Sequence, residues 1–283
     1  RVLVNAAGPW SDSMTERSGS GGVANKVRGS KGAHISVRRE RVGNRDAITL
    51  VHPADGRVMF ALPAGTHTII GTTDTFTDAS PDEVRASESD LAYLLDAANA
   101  YFPDAHLTRD DVIAAWAGIR PLVPTTGSSV AASREHAVTR IEGVVTITGG
   151  KLTTYRVMGE DVVDAARELL RMPRRRATTA SRPLPDSTIP LVDPGREVEV
   201  GLPYRMDQLR VSVEHELACT LGDLLIRRTH VAYETRDSGR AAARRVADSV
   251  APMLAWDAGA KEREIARYDA EVARIFSVDD WNV

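Results

Sequence analysis

Five side chains stand where their charge or proton chemistry calls for a reason. Arg120 closes the apolar run 112–119 just before Pro121, and Arg134 sits in Ser133-Arg134-Glu135 ahead of a β-branched segment. A guanidinium presents a planar fork of donors that matches phosphate or carboxylate. The competing reading of each is a structural ion pair with one of the 39 acidic residues. His34 lies between Ala33 and Ile35 in a period-two pattern, so it faces away from the apolar side. An imidazole titrating near neutrality suits proton transfer, although a lone histidine is more often a satisfied structural residue. Asp74 ends the polar loop Gly71-Thr72-Thr73-Asp74 at a strand end, a place where functional groups gather.

The fifth, Lys151, belongs to the stretch TITGGKLTTYR at 146–156. Residues 144–148 read as a strand entered through the turn pair Glu142-Gly143. From Thr153 a helix is expected, because Met158, Val162, Ala165 and Leu169 recur at steps of four, three and four. Between them Gly149 and Gly150 allow the backbone to approach a ligand. The helix N-terminus adds a partial positive charge, with the Gly150 and Lys151 amides as expected donors, and the lysine adds a full charge. This is not a Walker A loop, since Val145 and Leu152 occupy positions that need glycine and Ser or Thr. Near the other end of the sequence, residues 2–5 read as a strand ending in Ala6-Ala7-Gly8-Pro9. That segment is either an ordinary strand-to-loop junction or the edge of a cofactor site.

Further strands are expected at 48–52 and in a hairpin, 58–62 with 66–70, around Pro63-Ala64-Gly65. A helix from Ser89 carries Leu91, Leu94, Leu95, Ala98 and Tyr101 on one face and stops at Pro103. Residues 112–119 are apolar on both faces, as in a central strand. SGSGG at 18–22 reads as a loop. After Leu170, arginines alternate with prolines in a linker, and from Tyr204 helical periodicity dominates, with Ile265, Tyr268, Val272 and Ile275 forming one stripe. His215-Glu216-Leu217-Ala218-Cys219 misses the HExxH zinc motif at its last position and reads as a solvated helix face, so no metal site is expected.

The composition sets outer limits. With 283 residues, 42% of them hydrophobic, the chain suits one large domain or two ordinary ones. A net charge of −3 gives no general attraction to nucleic acid. Cys219 is the single cysteine, which excludes an internal disulfide and points to a reducing, cytoplasmic compartment. No run approaches membrane-spanning length, so any membrane contact would be peripheral. No signal peptide is visible, and RVLVNAAGPW reads as the middle of a strand, as though the beginning were missing.

Several segments together carry a resemblance. They are VNAAGPW at 4–10, KGAHISV at 31–37, GRVMFALP at 56–63, IIGTTD at 69–74, AGIRPLVP at 117–124, SREH at 133–136, TGGKLTTYR at 148–156 and VEHELACTLGDLLIRRT at 213–229. In order and spacing they resemble the FAD-dependent glycerol-3-phosphate dehydrogenases, the aerobic flavin type, over nearly the whole chain. The resemblance implies an α/β FAD-binding fold without its N-terminal dinucleotide motif, a mixed-sheet substrate domain and an all-α C-terminal domain. It places residues 1–25 and 141–171 in the FAD domain, 26–140 in the substrate domain, 172–203 in the linker and 204–283 in the helical domain.

The same resemblance implies oxidation of sn-glycerol 3-phosphate to dihydroxyacetone phosphate with FAD as cofactor and quinone as the next acceptor. Arg120, Arg134, Asp74 and Lys151 would bind substrate. His34, Arg120 and Lys151 would be catalytic, with His34 as general base and Lys151 sharing or taking that role. Ala7, Gly8, Gly149, Gly150, Lys151, Leu152 and Thr153 would face the flavin. Other implied partners are the inner face of the cell membrane and a second copy in a homodimer. One departure stands out: no GxGxxG occurs, so the pyrophosphate half of the cofactor site is missing from this stretch. The alternatives are a related flavin oxidase that uses oxygen, and a truncated, redox-inactive remnant that binds phosphoesters or a partner.

Overall fold

A computed structural model describes residues 1–19, 28–123, 135–184 and 195–279. The strands are β1 (Leu3–Asn5), β2 (Arg28–Arg38), β3 (Ile48–Val51), β4 (Val58–Ala64), β5 (His67–Gly71), β6 (Thr75–Phe76), β7 (Ala86–Ser87), β8 (Val112–Leu122), β9 (His136–Ile141), β10 (Val144–Gly149) and β11 (Val278–Asp279). The helices are α1 (Ser11–Arg17), α2 (Arg39–Val42), α3 (Glu88–Tyr101), α4 (Tyr155–Leu169), α5 (Met206–Glu216), α6 (Val231–Glu234), α7 (Arg240–Leu254) and α8 (Ala258–Phe276). The chain divides into two compact units. One holds Arg1–Lys31, Asp74–Val84 and Gly118–Ser187, the other Gly32–Thr73, Arg85–Ala117 and Thr188–Val283.

In the first unit β10 is the middle strand, parallel to β1 and antiparallel to β9. The β9–β10 hairpin closes through Glu142 and Gly143, whose φ angles of 45° and 83° are those of a type I′ turn. Val162 and Ala165 of α4 are buried with Val145 and Ile147, and this small core holds the helix on the sheet. Leu169, expected on the same stripe, is 38% exposed because α4 outruns the core. A 3-10 turn, Leu152–Thr154, comes first, so the α-helix begins at Tyr155 rather than Thr153. The first residues of β2 pair with β6 in this unit, Ser30 opposite Phe76.

The second unit has two apolar cores. In the first, β3, β4, β5 and the rest of β2 form an antiparallel sheet, with Ile35 opposite Ile70 and Ala61 opposite Ile70 on the other side. Alternation turns Ile35, Leu50, Met59 and Ile70 to one face, where Leu91 and Leu94 of α3 join them in a dry cluster. The Ser87 side chain accepts from the Asp90 N–H, and the Asp90 carboxylate accepts from the Ser87 N–H, a reciprocal cap that fixes where α3 starts. Tyr101 departs from its expected place on the buried face: it is 44% exposed, and its hydroxyl accepts from the Val51 N–H at 2.9 Å.

The second core is helical. Leu209, Leu221, Leu224, Val246, Tyr268 and Val272 pack together from α5, α7, α8 and the segment leading into and through a π-turn, Asp223–Arg228. The segment expected to be a helix face around His215 is only partly so. Here α5 ends at Glu216, Leu217 is left-handed with φ 59°, and Cys219 is exposed beyond the helix. Among the described residues no helix is long and apolar enough to cross a membrane.

Candidate active site

The parallel pairing of β1 with β10, Asn5 opposite Thr146, sends two loops off the same carboxyl end of the sheet. In open α/β sheets this end is where ligands bind. One loop carries Ala7 and Gly8, the other Gly150 to Thr153. Asn5 ties the first loop down: its buried amide donates to the Ser11 carbonyl at 2.8 Å and to the Thr15 hydroxyl at 3.1 Å, while its oxygen accepts from the Ala7 N–H at 3.2 Å. Gly8 has φ 57°, and a Cβ there would meet nothing within 4 Å, so its face is open.

Gly149 and Gly150 have a packing reason to be glycines besides the one expected. A Cβ on Gly149 would stand 2.5 Å from the Glu135 carbonyl oxygen, and one on Gly150 would run into the Met158 sulfur. The protein's own packing, with φ of 74° and 81°, therefore demands them. The Lys151 N–H is engaged as well, donating to the Thr154 hydroxyl at 3.1 Å. Among the expected flavin-facing donors this leaves Gly150, together with the first N–H groups of the 3-10 turn, Leu152 and Thr153, which have no acceptor within their own turn. Leu152 is 90% exposed, and Lys151 and Thr153 are exposed beside it.

Asp74 and Arg120 come together in the same unit. The guanidinium lies 3.6 Å from the Asp74 carboxylate, and both side chains are roughly three-tenths exposed. The Ser30 hydroxyl also donates to this carboxylate. Sequence reasoning missed Ser30; its only signal was its place in β2 four residues before His34. The structural ion pair and the substrate clamp are thus not exclusive for Arg120, since a guanidinium has five donors. Arg134 lies outside the described residues.

His34 is in the other unit, on β2 opposite Gly71 of β5. Its ring stacks on Trp116 with centroids 5.7 Å apart and planes 11° from parallel. Gly71 is the floor beneath it: a Cβ there would lie 2.7 Å from Nε2 and 2.8 Å from Cγ. The next loop is held by the Ala33 N–H, which donates to the Thr73 hydroxyl at 2.9 Å. Trp116 and Gly71 bound the His34 ring, and the sequence reading passed over both contacts, although Gly71 opened the loop it singled out.

A cleft of about 670 Å³ in the first unit contains none of these residues. Several of its polar side chains pair with one another, His136 with Asp161 at 2.7 Å, Arg140 with Glu168 at 3.2 Å and Arg174 with Asp164 at 3.6 Å. It reads as a surface network. Among the described residues no cluster of His, Cys, Asp and Glu is arranged to hold a metal.

The family model described as FAD dependent oxidoreductase matches residues 1–165. The chain belongs to this family. A second family model, the C-terminal domain of alpha-glycerophosphate oxidase, matches residues 164–261. Among solved structures, glycerol-3-phosphate dehydrogenase from Bacillus halodurans complexed with FAD superposes with a TM-score of 0.78 at 28% identity, covering 98% of this chain and 64% of that one. The fold is thus an FAD-dependent oxidoreductase fold with mixed sheets and a helical C-terminal part. Glycerol-3-phosphate dehydrogenase of Mycobacterium leprae is 34% identical over 96% of this chain and 53% of its own length. Aerobic glycerol-3-phosphate dehydrogenase of Staphylococcus aureus is 38% identical over 60% of this chain and 31% of its own. The chain spans about half the length of the Mycobacterium relative, the longer of these two matches.

Proposed function

We propose that this chain forms the substrate-binding and flavin-facing part of an enzyme that oxidises sn-glycerol 3-phosphate at C2 to dihydroxyacetone phosphate and passes the electrons to quinone. The observation that carries the reading is the pair of loops at the carboxyl end of β1 and β10. Open Gly8 and the N–H groups of Leu152 and Thr153, which lack an acceptor within their own turn, suit the edge of a planar, electron-accepting ring. FAD, when bound, supplies the two-electron oxidant.

The rest is the work of the chain's own residues. Arg120 and Arg134 hold the phosphate or hydroxyl end of the substrate through charge-assisted hydrogen bonds. Asp74 fixes the Arg120 guanidinium and is itself oriented by Ser30. His34 accepts the proton of the C2 hydroxyl, its ring set by Trp116 and Gly71. Lys151, exposed at the start of the 3-10 turn, adds positive charge beside the expected flavin edge. Delivery to quinone implies a peripheral contact with the membrane surface. The division into FAD segments 1–25 and 141–171, substrate domain 26–140 and helical domain 204–283 belongs to the same proposal.

The test uses the full reading frame containing these residues, loaded with FAD. Under anaerobic conditions sn-glycerol 3-phosphate should bleach the yellow flavin, and added quinone should restore it. Colour that persists in excess substrate would overturn the reading. The match of 164–261 to an alpha-glycerophosphate oxidase domain favours oxygen as the second candidate acceptor. Faster reoxidation by oxygen than by quinone decides for it.

A further inference from the structure

A separate cavity of about 250 Å³ lies within the second unit, and none of the residues assigned above to substrate or flavin lines it. Two of its residues carry buried polar atoms with no partner among the described residues. His67 is 1% exposed and Glu234 5% exposed, yet His67 Nε2 and Glu234 Oε2 make no hydrogen bond. Their other polar atoms are used: Nδ1 of His67 meets the Thr66 hydroxyl at 2.9 Å, and Oε1 of Glu234 accepts from the Tyr204 hydroxyl at 3.2 Å. The Ser36 hydroxyl on the same wall is spent on the Tyr233 carbonyl at 2.7 Å. Native proteins rarely leave such atoms unpaired.

The remaining walls are aromatic. Trp116 and Tyr233 meet edge to face with centroids 4.8 Å apart, and Tyr233 meets His230 in the same way at 6.0 Å. We propose that this cavity is a binding site for a small neutral molecule that both donates and accepts hydrogen bonds, such as a carboxamide or alcohol on a ring-sized apolar body. The two orphan atoms take the polar group, and the Trp116 and Tyr233 rings take the body. Size agrees, since an apolar cavity of about 150 Å³ already accepts a benzene ring. Water alone is a poor occupant, because each molecule needs two to four polar partners and the aromatic wall offers few.

Neutrality follows from the surroundings. Burial, with Arg38 nearby, pushes His67 down to about 4, so its imidazole is uncharged at pH 7. Burial raises the Glu234 carboxyl, opposed by the Tyr204 hydrogen bond and Arg38. A charged ligand would lose its hydration to partners that themselves resist charge. Arg38 also repels a cation.

The chain, labelled with 15N at histidine, is titrated with benzamide, benzoate, benzylamine and toluene. Benzamide should shift the His67 ring resonances saturably, with a dissociation constant on the order of millimolar for so small a ligand. The charged and purely apolar analogues should bind at least about tenfold more weakly. Glu234→Leu should weaken benzamide about tenfold, whereas Glu234→Gln, whose amide oxygen still accepts, should keep it within about threefold. No saturable shift, or a charged or apolar analogue that binds as well as benzamide, would overturn the proposal. So would unchanged affinity in Glu234→Leu. Should that variant not fold, the four-probe comparison on the wild-type chain decides alone.

Discussion

Replacing Gly71 by alanine tests whether His34 does proton chemistry, because it moves the imidazole without removing it. The added Cβ would lie 2.7 Å from Nε2 and 2.8 Å from Cγ, and Cδ2 is nearer still. Carbon contacts are comfortable at about 3.5–4.0 Å, so the ring must shift by roughly 1 Å. It cannot slide freely, because Trp116 stacks on it at 5.7 Å. A displacement of that size at a reacting group costs about 100-fold in rate. Overpacking should also destabilise the fold by about 1–3 kcal/mol.

The assay is anaerobic flavin reduction by sn-glycerol 3-phosphate in the FAD-loaded enzyme, followed by stopped flow, with urea unfolding as the control for stability. Gly71→Ala should lower the reduction rate about 100-fold, approaching the rate of His34→Gln. If both changes act on the same proton transfer, Gly71→Ala combined with His34→Gln should be little slower than His34→Gln alone, as expected for coupled sites. A folded Gly71→Ala enzyme within about threefold of wild type would refute the argument, given the displacement worked out above. A fully additive double variant would show that Gly71 matters for some reason other than His34.

Two further outcomes follow from single contacts. Arg120→Ala should lower kcat/KM by about 30-fold or more if the guanidinium grips substrate phosphate, since losing a desolvated charge partner costs about 2–5 kcal/mol. If its sole task is the partly exposed pair with Asp74, the loss should stay within about 1 kcal/mol, under about fivefold. His67 makes stability depend on pH. Its folded pKa is depressed from 6.5 to about 4, so its contribution is full above pH 6.5 and is lost as pH falls toward 4. The most it can supply is about 3 kcal/mol. Glu234, raised by burial, acts in the opposite sense, losing its contribution as pH rises. Urea midpoints of Glu234→Gln should therefore fall between pH 7 and pH 4.5, and adding His67→Phe should flatten that fall. An unchanged slope would mean that His67 titrates normally.

What the sequence made legible was whatever is encoded locally. The period-two alternation at 33–37 placed His34 on the face away from the core, and the structure shows Ala33, Ile35 and Val37 fully buried. The Glu142-Gly143 turn was readable because turn chemistry is written in neighbouring residues, and α3 because its apolar residues recur at helical spacing. Gly149 and Gly150 show where local reading stops short. Two glycines before a helix fit close approach of a ligand, but the atoms that exclude a Cβ are the Glu135 carbonyl and the Met158 sulfur. The sequence cannot tell whether the missing Cβ makes room for a ligand or for the protein itself.

The partner contacts were illegible for the same reason carried further. Ser30 and Asp74 stand 44 residues apart, and Ser36 reaches the Tyr233 carbonyl across 197. His67 sits between two threonines and Glu234 is followed by Thr235-Arg236-Asp237, and nothing in either neighbourhood says that both are buried on the walls of one cavity with a polar atom unspent. A buried polar atom without a partner destabilises a fold by about 1–3 kcal/mol. Two in one cavity are therefore hard to retain unless something satisfies them. That cost is a property of the packed chain rather than of any segment of it, which makes this cavity the feature for which the three-dimensional structure was indispensable.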